Sequence, residues 1–360
     1  MKILQIINSL ATGGAEKLLL ESIPIYAEQG MDVHLLLLNG SSHPFLEELK
    51  AKKCCTIHSL GTGSVYNPMH IFKIKKILKQ FDVVHVHIFP SLYWSAFAKI
   101  LSFSKMKMVY TEHSTSNKRR DNFILKRVDK LVYSQYNKIV AITPQVLENL
   151  QNHLHFKDEN RFEIIANGLN LTKIKKAIPY SKADFFDDEN AKIVIQVARF
   201  FEPKDHKTVI RALTHLPENV KLLLVGDGNL KAESEALVNE LKLQKRVQFL
   251  GVRTDVLALL KTADIIVLSS KHEGLSLSCI EGMASGKPFV ASDVPGLKDV
   301  VENAGILFPL GDEKALADII SKLLSEDDYY KQTVVNCQQK ANAFDIYKMV
   351  DLYINIYRNL

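Results

Sequence analysis

The chain has 360 residues, of which 47% are hydrophobic and 24% are charged, and its formal net charge is +6. This is a globular composition, long enough for two domains with complete cores, and no apolar run approaches the ~20 residues of a membrane-spanning helix. The four cysteines show neither zinc spacing nor a disulfide framework, and the N-terminus turns polar too early for a signal peptide. We therefore expect a cytoplasmic protein.

Short apolar runs alternate with segments of helical periodicity along the whole chain. In the first half we predict strands at 2–7, 33–38, 56–60, 83–88, 108–112, 138–142 and 162–165, and helices at 15–29, 45–52, 68–80, 91–101, 122–134 and 144–150. In the second half we predict strands at 192–198, 221–225, 247–250, 264–268, 288–291 and 305–308, and helices at 207–213, 231–241, 254–261, 313–325 and 345–359.

Near-continuous Val, Ile and Leu strands separated by helices are typical of parallel sheets covered on both faces. We therefore predict an α/β fold of two doubly wound, Rossmann-like parallel-sheet domains with the ligand between them. The boundary is placed within residues 168–191, where a polar stretch separates the two apolar series.

The excess of positive over negative charge comes entirely from the first half of the chain. Residues 1–170 hold 21 Lys and Arg against 14 Asp and Glu, whereas residues 171–360 hold 25 against 26. Two interpretations are open: a solvated basic face, or a surface that meets an anionic membrane or a phosphorylated partner. The basic segments lack interleaved aromatic residues, and no helix-turn-helix or zinc-finger pattern occurs, which argues against nucleic acid. One basic cluster has its densest part at residues 118–127, and a second lies before it in the chain. The first consists of Lys99, Lys105, Lys107, Lys118, Arg119, Arg120, Lys126, Arg127 and Lys130, and the second of Lys73, Lys75, Lys76 and Lys79.

The membrane interpretation places peripheral contact with the anionic inner membrane, on its cytoplasmic face, at the first of these clusters. The nearby expected helix 91–101 would add its apolar residues to that surface. The alternative is that these side chains are buried against the sheet. They are Leu92, Tyr93, Trp94, Phe97 and Ile100.

A pair of carboxylates follows the strand expected at 264–268. Glu273 lies in a loop of small and polar residues, and Glu281 lies in the helix that starts after it. A strand, a small-residue loop and a helix start present backbone N–H groups to an anion, and the two carboxylates could reach hydroxyls of the same ligand. The alternative is a solvated loop acid and a helix-terminal acid favoured by the macrodipole.

Two further strand ends carry residues suited to an anionic ligand. Gly13 and Gly14 follow the first strand and allow close backbone approach, although an ordinary strand-to-helix turn would also use them. Arg199 follows the strand at 192–198, and Lys204 lies five residues on. An Arg fork and a Lys point charge suit a diphosphate. The alternative is a surface ion pair with a neighbouring acid.

Three histidines lie on or after neighbouring strands. His113 follows the strand at 108–112, at a carboxyl end where ligands bind, although a lone histidine is more often structural. His85 and His87 alternate on one face of their strand. Only His113 offers a third metal ligand and no carboxylate motif is near, so we interpret this pair as wall or core histidines and predict no metal site.

These features occur in an order that resembles the retaining GT-B glycosyltransferases of family four, the glycosyl transferases group 1. The resemblance covers essentially the whole chain, and its second-half motifs are specific in combination. It rests on Gly13-Gly14-Ala15-Glu16, Thr111-Glu112-His113-Ser114, Asn167-Gly168, Arg199 with Lys204, Val225-Gly226-Asp227-Gly228, Leu250-Gly251, Glu273 to Glu281, and Met283-Ala284-Ser285-Gly286-Lys287-Pro288.

The resemblance implies a GT-B fold whose two domains face a cleft: residues 1–170 with 344–360 on the acceptor side, and residues 171–343 for the nucleotide sugar. Arg199 and Lys204 would neutralise the leaving diphosphate. The other implied donor contacts are Gly13, Gly14, Gly226, Val252, Arg253, Gly274, Leu275, Ser276, Leu277 and Glu281, with Glu281 on the ribose and Val252 and Arg253 beside the base.

The catalytic residues that the resemblance implies are His113, Arg199, Lys204 and Glu273, with Glu273 on donor-sugar hydroxyls and His113 beside the sugar. Acceptor contacts are implied at Glu16, Asn117, Arg119 and Arg120. No Asp-x-Asp motif occurs in the chain, which matches a metal-independent hexosyltransferase (EC 2.4). No cofactor is implied: the donor would be a UDP- or GDP-sugar, and the acceptor a glycan or lipid-linked glycan of lipopolysaccharide, capsule or exopolysaccharide synthesis.

Two alternatives keep parts of this interpretation. One is a GT-B enzyme of another reaction, a nucleotide-sugar epimerase or a phosphorylase. The other is a non-catalytic partner subunit that binds a glycan or another transferase. The presence of the Glu273 and Glu281 pair together with Arg199 and Lys204 argues for the transferase.

Overall fold

In the computed structural model the chain forms two compact units, Met1–Gly168 with Ile346–Leu360, and Leu169–Asp345. The structure describes residues 1–11, 13–103, 105–113, 123–156, 158–188, 190–273 and 277–360, with only the backbone described at 123 and 124. Within these ranges no helix is both long enough and apolar enough to cross a bilayer.

The first unit is a doubly wound sheet of seven parallel strands in the order β3-β2-β1-β4-β5-β6-β7. Successive strands are added outward from β1 on one side and from β4 on the other, so the topological switch lies between β1 and β4. The strands are β1 (Lys2–Ile7), β2 (Asp32–Leu37), β3 (Thr56–Ser59), β4 (Val83–His87), β5 (Lys107–Glu112), β6 (Lys138–Ala141) and β7 (Phe162–Ile164).

Among the described residues, six α-helices connect these strands, and a seventh returns to the unit from the end of the chain. They are α1 (Gly14–Glu28), α2 (Pro44–Lys52), α3 (His70–Leu78), α4 (Ser91–Ser102), α5 (Phe123–Tyr133), α6 (Pro144–Leu154) and, at the end, α15 (Ile346–Arg358).

The second unit repeats the architecture with six parallel strands in the order β10-β9-β8-β11-β12-β13, so its switch lies between β8 and β11. Its strands are β8 (Lys192–Val197), β9 (Val220–Val225), β10 (Val247–Gly251), β11 (Ile265–Leu268), β12 (Phe289–Ser292) and β13 (Ile306–Phe308). Its helices are α7 (Leu171–Lys176), α8 (His206–Ala212), α9 (Lys231–Glu240), α10 (Val256–Thr262), α11 (Leu277–Ala284), α12 (Lys298–Val301), α13 (Glu313–Ser325) and α14 (Asp327–Ala341).

Burial on both faces explains why the central strands are apolar throughout. In β11, Ile266 and Leu268 point into one core, whereas Ile265 and Val267 point into the core on the other face. Each fully buried side chain of this kind contributes roughly 1.5–3 kcal/mol to stability. The pattern confirms the prediction of parallel sheets covered on both sides.

Three α-helices of the described residues, α7, α12 and α14, were not predicted individually from the sequence, and a fourth is longer than predicted. α14 buries only Thr333, Cys337 and Ala341, so it lacks the Leu and Ile stripe that reveals an amphipathic helix. α7 lies in the stretch assigned to the boundary, where the Asn170 side chain caps it by accepting from the Lys173 N–H at 3.0 Å. α6 continues to Leu154.

Of the two alternatives for the apolar residues of α4, burial against the sheet is the correct one. Leu92 and Tyr93 are buried in the core, and Trp94 and Phe97 pack against it half-buried. Trp94 Nε1 also donates to the Val65 carbonyl at 2.8 Å. α3 covers this helix, so its apolar residues serve the fold.

α15 is fastened to the first sheet by buried hydroxyl groups. The Tyr357 hydroxyl lies 2.6 Å from His85 Nδ1 and accepts from Gln5 Nε2 at 3.3 Å, and the Tyr353 hydroxyl lies 2.9 Å from Thr111 Oγ1. Because these groups are out of reach of water, each needs its partner. The last helix is therefore joined by polar bonds to three central strands, β1, β4 and β5.

Replacing Tyr357 with Phe should lower the free energy of unfolding by about 1–3 kcal/mol, because His85 and Gln5 each lose a partner while the ring is retained. Urea unfolding measures this. Tyr66→Phe is the control, since Tyr66 is 62% exposed and its change should have little effect. Equal midpoints for both variants would contradict the role of the buried hydroxyl.

Candidate active site

The loops after β8 and β11, the two strands at the switch of the second unit, are joined by hydrogen bonds. The Asp205 N–H donates to the Ser269 carbonyl at 3.1 Å, and the Lys271 N–H donates to the Pro203 carbonyl at 2.8 Å. The Ser269 hydroxyl donates to Asp205 Oδ2 at 3.0 Å. Ligands of open parallel sheets bind at this position, beyond the carboxyl ends of the strands at the switch.

Lys204 and Glu273, predicted from separate motifs, form an ion pair across these loops. Their side chains are only 16% and 12% exposed, so the pair lies in an environment where a charge needs a partner. An ammonium group has three N–H donors, so Lys204 can bind Glu273 and an anion together. Glu273 is therefore not a solvated loop acid.

Arg199 lies at the end of β8 with its guanidinium free of carboxylates in the described part of the chain. The group sits over the Phe201 ring, with its Cζ 4.5 Å from the ring centroid, and the residue is exposed. The two acids proposed from the sequence as its alternative partners are engaged elsewhere: Glu202 with Lys271 at 2.9 Å, and Asp205 as the N-cap of α8. The guanidinium keeps its donors for a ligand.

Three neighbouring loops meet beside Arg199. The Gly226 N–H donates to the Gly251 carbonyl at 2.8 Å, and the Phe200 N–H donates to the Asp227 carbonyl at 2.9 Å. Gly226 has φ +140°, and a Cβ there would collide with the Ala198 carbonyl. The sequence motif around Gly226 thus reflects close packing of the loop after β9 against the loop after β8.

α11 starts at Leu277, so the backbone N–H groups of its first turn lie at the edge where β11 ends. Glu281 lies one turn into the helix and is 7% exposed, so its carboxylate is largely withdrawn from solvent. The predicted donor contacts Gly274, Leu275 and Ser276 lie outside the described residues.

The residues predicted beside the base differ in their surroundings. Val252, just after β10, is 77% exposed. Arg253 is chelated by Asp255, with a 2.7 Å bond from Nε to Oδ1, and its Cζ lies 6.0 Å from the centre of the Tyr180 ring. These bonds hold the pKa of the Asp255 carboxyl well below its usual value. Val252 thus offers an exposed apolar side chain at the end of β10, whereas the guanidinium of Arg253 is already bound to Asp255.

The first unit brings its predicted residues to the equivalent edge of its own sheet. Gly13 precedes α1, and the Glu16 carboxylate folds back over it, where a Cβ would collide with it. His113 follows β5, and its Nε2 lies 3.3 Å from His87 Nδ1. Gly14 begins α1. The predicted acceptor residues Asn117, Arg119 and Arg120 lie outside the described residues.

His85 and His87 are buried, and each ring nitrogen has a polar neighbour. His85 Nε2 lies 2.8 Å from Thr111 Oγ1, and His87 Nε2 lies 2.8 Å from Gln5 Oε1. Among the described residues no group of three His, Cys, Asp or Glu side chains is arranged to hold a metal. The two histidines line the wall between β4 and α15.

Two glutamines that position the site were missed from the sequence. Gln5 and Gln196 are the single polar residues inside the strands β1 and β8, each of which is otherwise apolar after its first residue, a lysine, and both glutamines are fully buried. Gln196 Oε1 accepts from the Ser269 N–H at 2.9 Å, and Gln5 binds His87. The sequence did carry a signal for them, namely one amide side chain inside an apolar strand. Such a group is buried with the strand and therefore needs a hydrogen-bond partner.

Two family models match successive halves of the chain. "Glycosyltransferase Family 4" matches residues 12–173, and "Glycosyl transferases group 1" matches residues 179–340. Among curated relatives, the lipopolysaccharide core biosynthesis glycosyltransferase LpsD of Rhizobium meliloti is 28% identical over 316 residues, covering 86% of this chain and 84% of the relative.

A second relative is the N-acetylgalactosamine-N,N'-diacetylbacillosaminyl-diphospho-undecaprenol 4-alpha-N-acetylgalactosaminyltransferase of Campylobacter jejuni, 26% identical over 363 residues and covering 95% of both chains. Among solved structures, Anabaena HepE in complex with UDP superposes with a TM-score of 0.84 at 22% identity, covering 100% of both chains, and HepE has also been solved with UDP-glucose. This likeness shows the fold. With both units matched by consecutive models and the two parallel-sheet domains in place, the chain belongs to the group 1 glycosyltransferases of the GT-B fold.

Proposed function

We propose that this glycosyltransferase is a retaining, metal-independent enzyme that moves a hexose-type sugar from a UDP- or GDP-sugar to a lipid-linked glycan of the cell envelope. The observation that carries the donor half is the guanidinium of Arg199, which pairs with no carboxylate among the described residues and lies at the strand end that also bears the Lys204–Glu273 pair. The relatives named for lipopolysaccharide core and diphospho-undecaprenol substrates support the acceptor, and the UDP complexes of HepE support the donor.

The departure of a nucleoside diphosphate requires stabilisation of the negative charge that develops on it. Arg199, Lys204 and the N-terminus of α11 supply N–H donors from one edge of one sheet, and such preorganised donors are usually the largest catalytic term. No divalent cation is needed for this step. Glu281, held on α11, would accept from the ribose hydroxyls.

Retention would follow from attack on the face that the diphosphate leaves. The acceptor hydroxyl oxygen bonds to the anomeric carbon while the bond from that carbon to the phosphate oxygen breaks. The hydroxyl proton passes to the departing phosphate. Glu273 would orient sugar hydroxyls: a carboxylate paired with Lys204 is a weak nucleophile, which favours this route over a covalent intermediate.

His113 would present an unprotonated nitrogen to the sugar. Burial lowers the pKa of His113 to about 4 and holds that of His87 well below its usual value, so both rings are neutral near pH 7. Gln5 Oε1 can only accept, so the His87 proton is on Nε2 and His87 Nδ1 accepts from the His113 Nε2–H. The lone pair of His113 Nδ1 is then the acceptor for a sugar hydroxyl.

Arg199→Ala and Lys204→Ala should each lower kcat by roughly 10²–10³, the effect of removing one electrostatic donor from a transition state. The assay is sugar transfer or slow donor hydrolysis, starting from the nucleotide sugar that most raises the melting temperature. Lys207→Ala is the matched control, because Lys207 is exposed on α8 and pairs with Glu233 at 2.8 Å. Activity within a few-fold of wild type in both site variants would refute the donor site.

Chelation by EDTA should leave turnover nearly unchanged, because the cationic side chains and α11 already supply the charge on the leaving diphosphate. Initial rates before and after exhaustive chelation measure this. Loss of activity that Mg²⁺ or Mn²⁺ restores would show that a metal performs the task assigned to Arg199 and Lys204.

The assignment of the His113 proton can be measured by NMR on protein labelled with ¹⁵N-histidine. At pH 7 the two-bond couplings of His113 should be those of the Nε2–H tautomer, because Gln5 fixes the proton on His87. Gln5→Leu removes that acceptor and should give a mixture of tautomers, whereas the control Gln80→Leu, at an exposed position after α3, should not. An Nδ1–H tautomer of His113 in the unmodified protein would contradict the assignment.

A further inference from the structure

The segment between Glu48 and Asp82 has an unusual charge pattern. It holds seven lysines and no Asp or Glu. After the last residues of α2, the described part of the segment forms one complete α-helix, α3, which buries His70, Ile74 and Leu78 against the core of the first unit. These three residues define the side of the helix that faces the core. The helical period of 3.6 residues then determines which residues lie on the opposite, outer side.

The outer side combines exposed apolar side chains with unpaired cations. Met69 is 55% exposed and Phe72 is 50% exposed, and Tyr66, just before the helix, is 62% exposed. In the described part of the chain, none of the exposed lysines beside them forms an ion pair. We call this surface the α3 face, and it consists of Tyr66, Met69, Phe72, Lys75, Lys76 and Lys79.

The α3 face continues to the edge of the sheet where the acceptor residues are expected. The ring centroids of Tyr66 and Phe89 are 6.0 Å apart, and Phe89 follows β4. The Phe89 carbonyl in turn accepts from Asn8 Nδ2 at 2.7 Å, directly after β1. The apolar end of the α3 face therefore adjoins the β1/β4 switch of the same unit.

We propose that the α3 face docks on an anionic lipid bilayer. Its lysines match the charge of the headgroups, and Tyr66, Met69 and Phe72 are of a length and polarity to enter the boundary between headgroups and acyl chains. Stable but reversible attachment needs both signals, an apolar one and a basic one, and the face has both. A phosphorylated protein would need the lysines but not the apolar side chains.

Docking at this face would bring the switch edge of the first unit close to the bilayer surface. A glycan carried on a membrane lipid would then be presented near Gly13 and His113 without leaving the membrane. The docking itself does not rest on the proposed transfer reaction, because it can be measured with no sugar nucleotide present.

The test is sedimentation of the full chain with phosphatidylcholine vesicles, with and without phosphatidylglycerol, at low and high ionic strength. Binding should require phosphatidylglycerol and weaken with salt. The combined change Lys75→Gln, Lys76→Gln and Lys79→Gln should weaken it about 100-fold, at about fivefold per lysine. Met69→Ser with Phe72→Ser should weaken it at least about tenfold and leave the salt dependence in place.

Matched controls distinguish binding through the α3 face from effects of net charge and of exposed apolar side chains in general. Lys245→Gln, Lys314→Gln and Lys331→Gln make the same charge change at exposed positions of the second unit. Phe103→Ser removes a side chain that is 95% exposed elsewhere on the first unit. Both controls should bind as the unmodified protein does, and circular dichroism shows that every variant is folded.

Equal binding to vesicles with and without phosphatidylglycerol would overturn the proposal, as would face variants that bind like their controls. Loss of binding in the lysine variant with no loss in the Met69 and Phe72 variant would show a purely electrostatic surface and would favour a phosphorylated partner. Failure of any of these tests leaves the donor-site predictions untouched, since none of them involves Arg199 or Lys204.

Discussion

The candidate site of the second unit depends on the link between the ends of two adjacent strands, β8 and β11. Parallel strands bring their carboxyl ends to one edge, but the loops beyond them are free to diverge. Here they are held together by Gln196 on the Ser269 N–H, by backbone bonds on either side of Lys204, and by the ion pair of Lys204 with Glu273. These bonds turn a strand edge into a site of defined geometry.

In both units a buried glutamine beside the topological switch forms a hydrogen bond across that switch. Each has a single glutamine, Gln5 or Gln196, in the central strand beside its topological switch. A buried amide in an apolar strand is costly unless it is hydrogen-bonded, and in both sheets the bond goes to the neighbouring element across the switch. The cost of the polar residue is offset by the order that it imposes on the site.

The first unit separates its apolar surfaces into two kinds. The aromatic side chains of α4 lie inside, under α3, and contribute to the core. Those of the α3 face lie outside, next to lysines that have no acid in the surrounding segment. Hydrophobicity alone does not distinguish the aromatic residues of α4 from the apolar residues of the α3 face, because both helices are amphipathic. They are distinguished by packing, since α3 covers α4.

The sequence by itself determined the features that depend on neighbours in the chain. Alternating apolar strands and helices specified two doubly wound sheets, and Arg199, Lys204, Gly226 and Glu273 stood out because each follows a strand. α14 was not predicted because the residues that it buries are small and give little hydrophobic periodicity.

Only the tertiary structure decided the pairings between distant positions. Lys204 meets Glu273 across 69 residues, and Gln5 reaches Tyr357 across 352. It also decided that α4 is covered and α3 is exposed. The physical reason is that periodicity and turn chemistry act over a few residues, whereas partners for buried polar groups are set by the order of strands in the sheet.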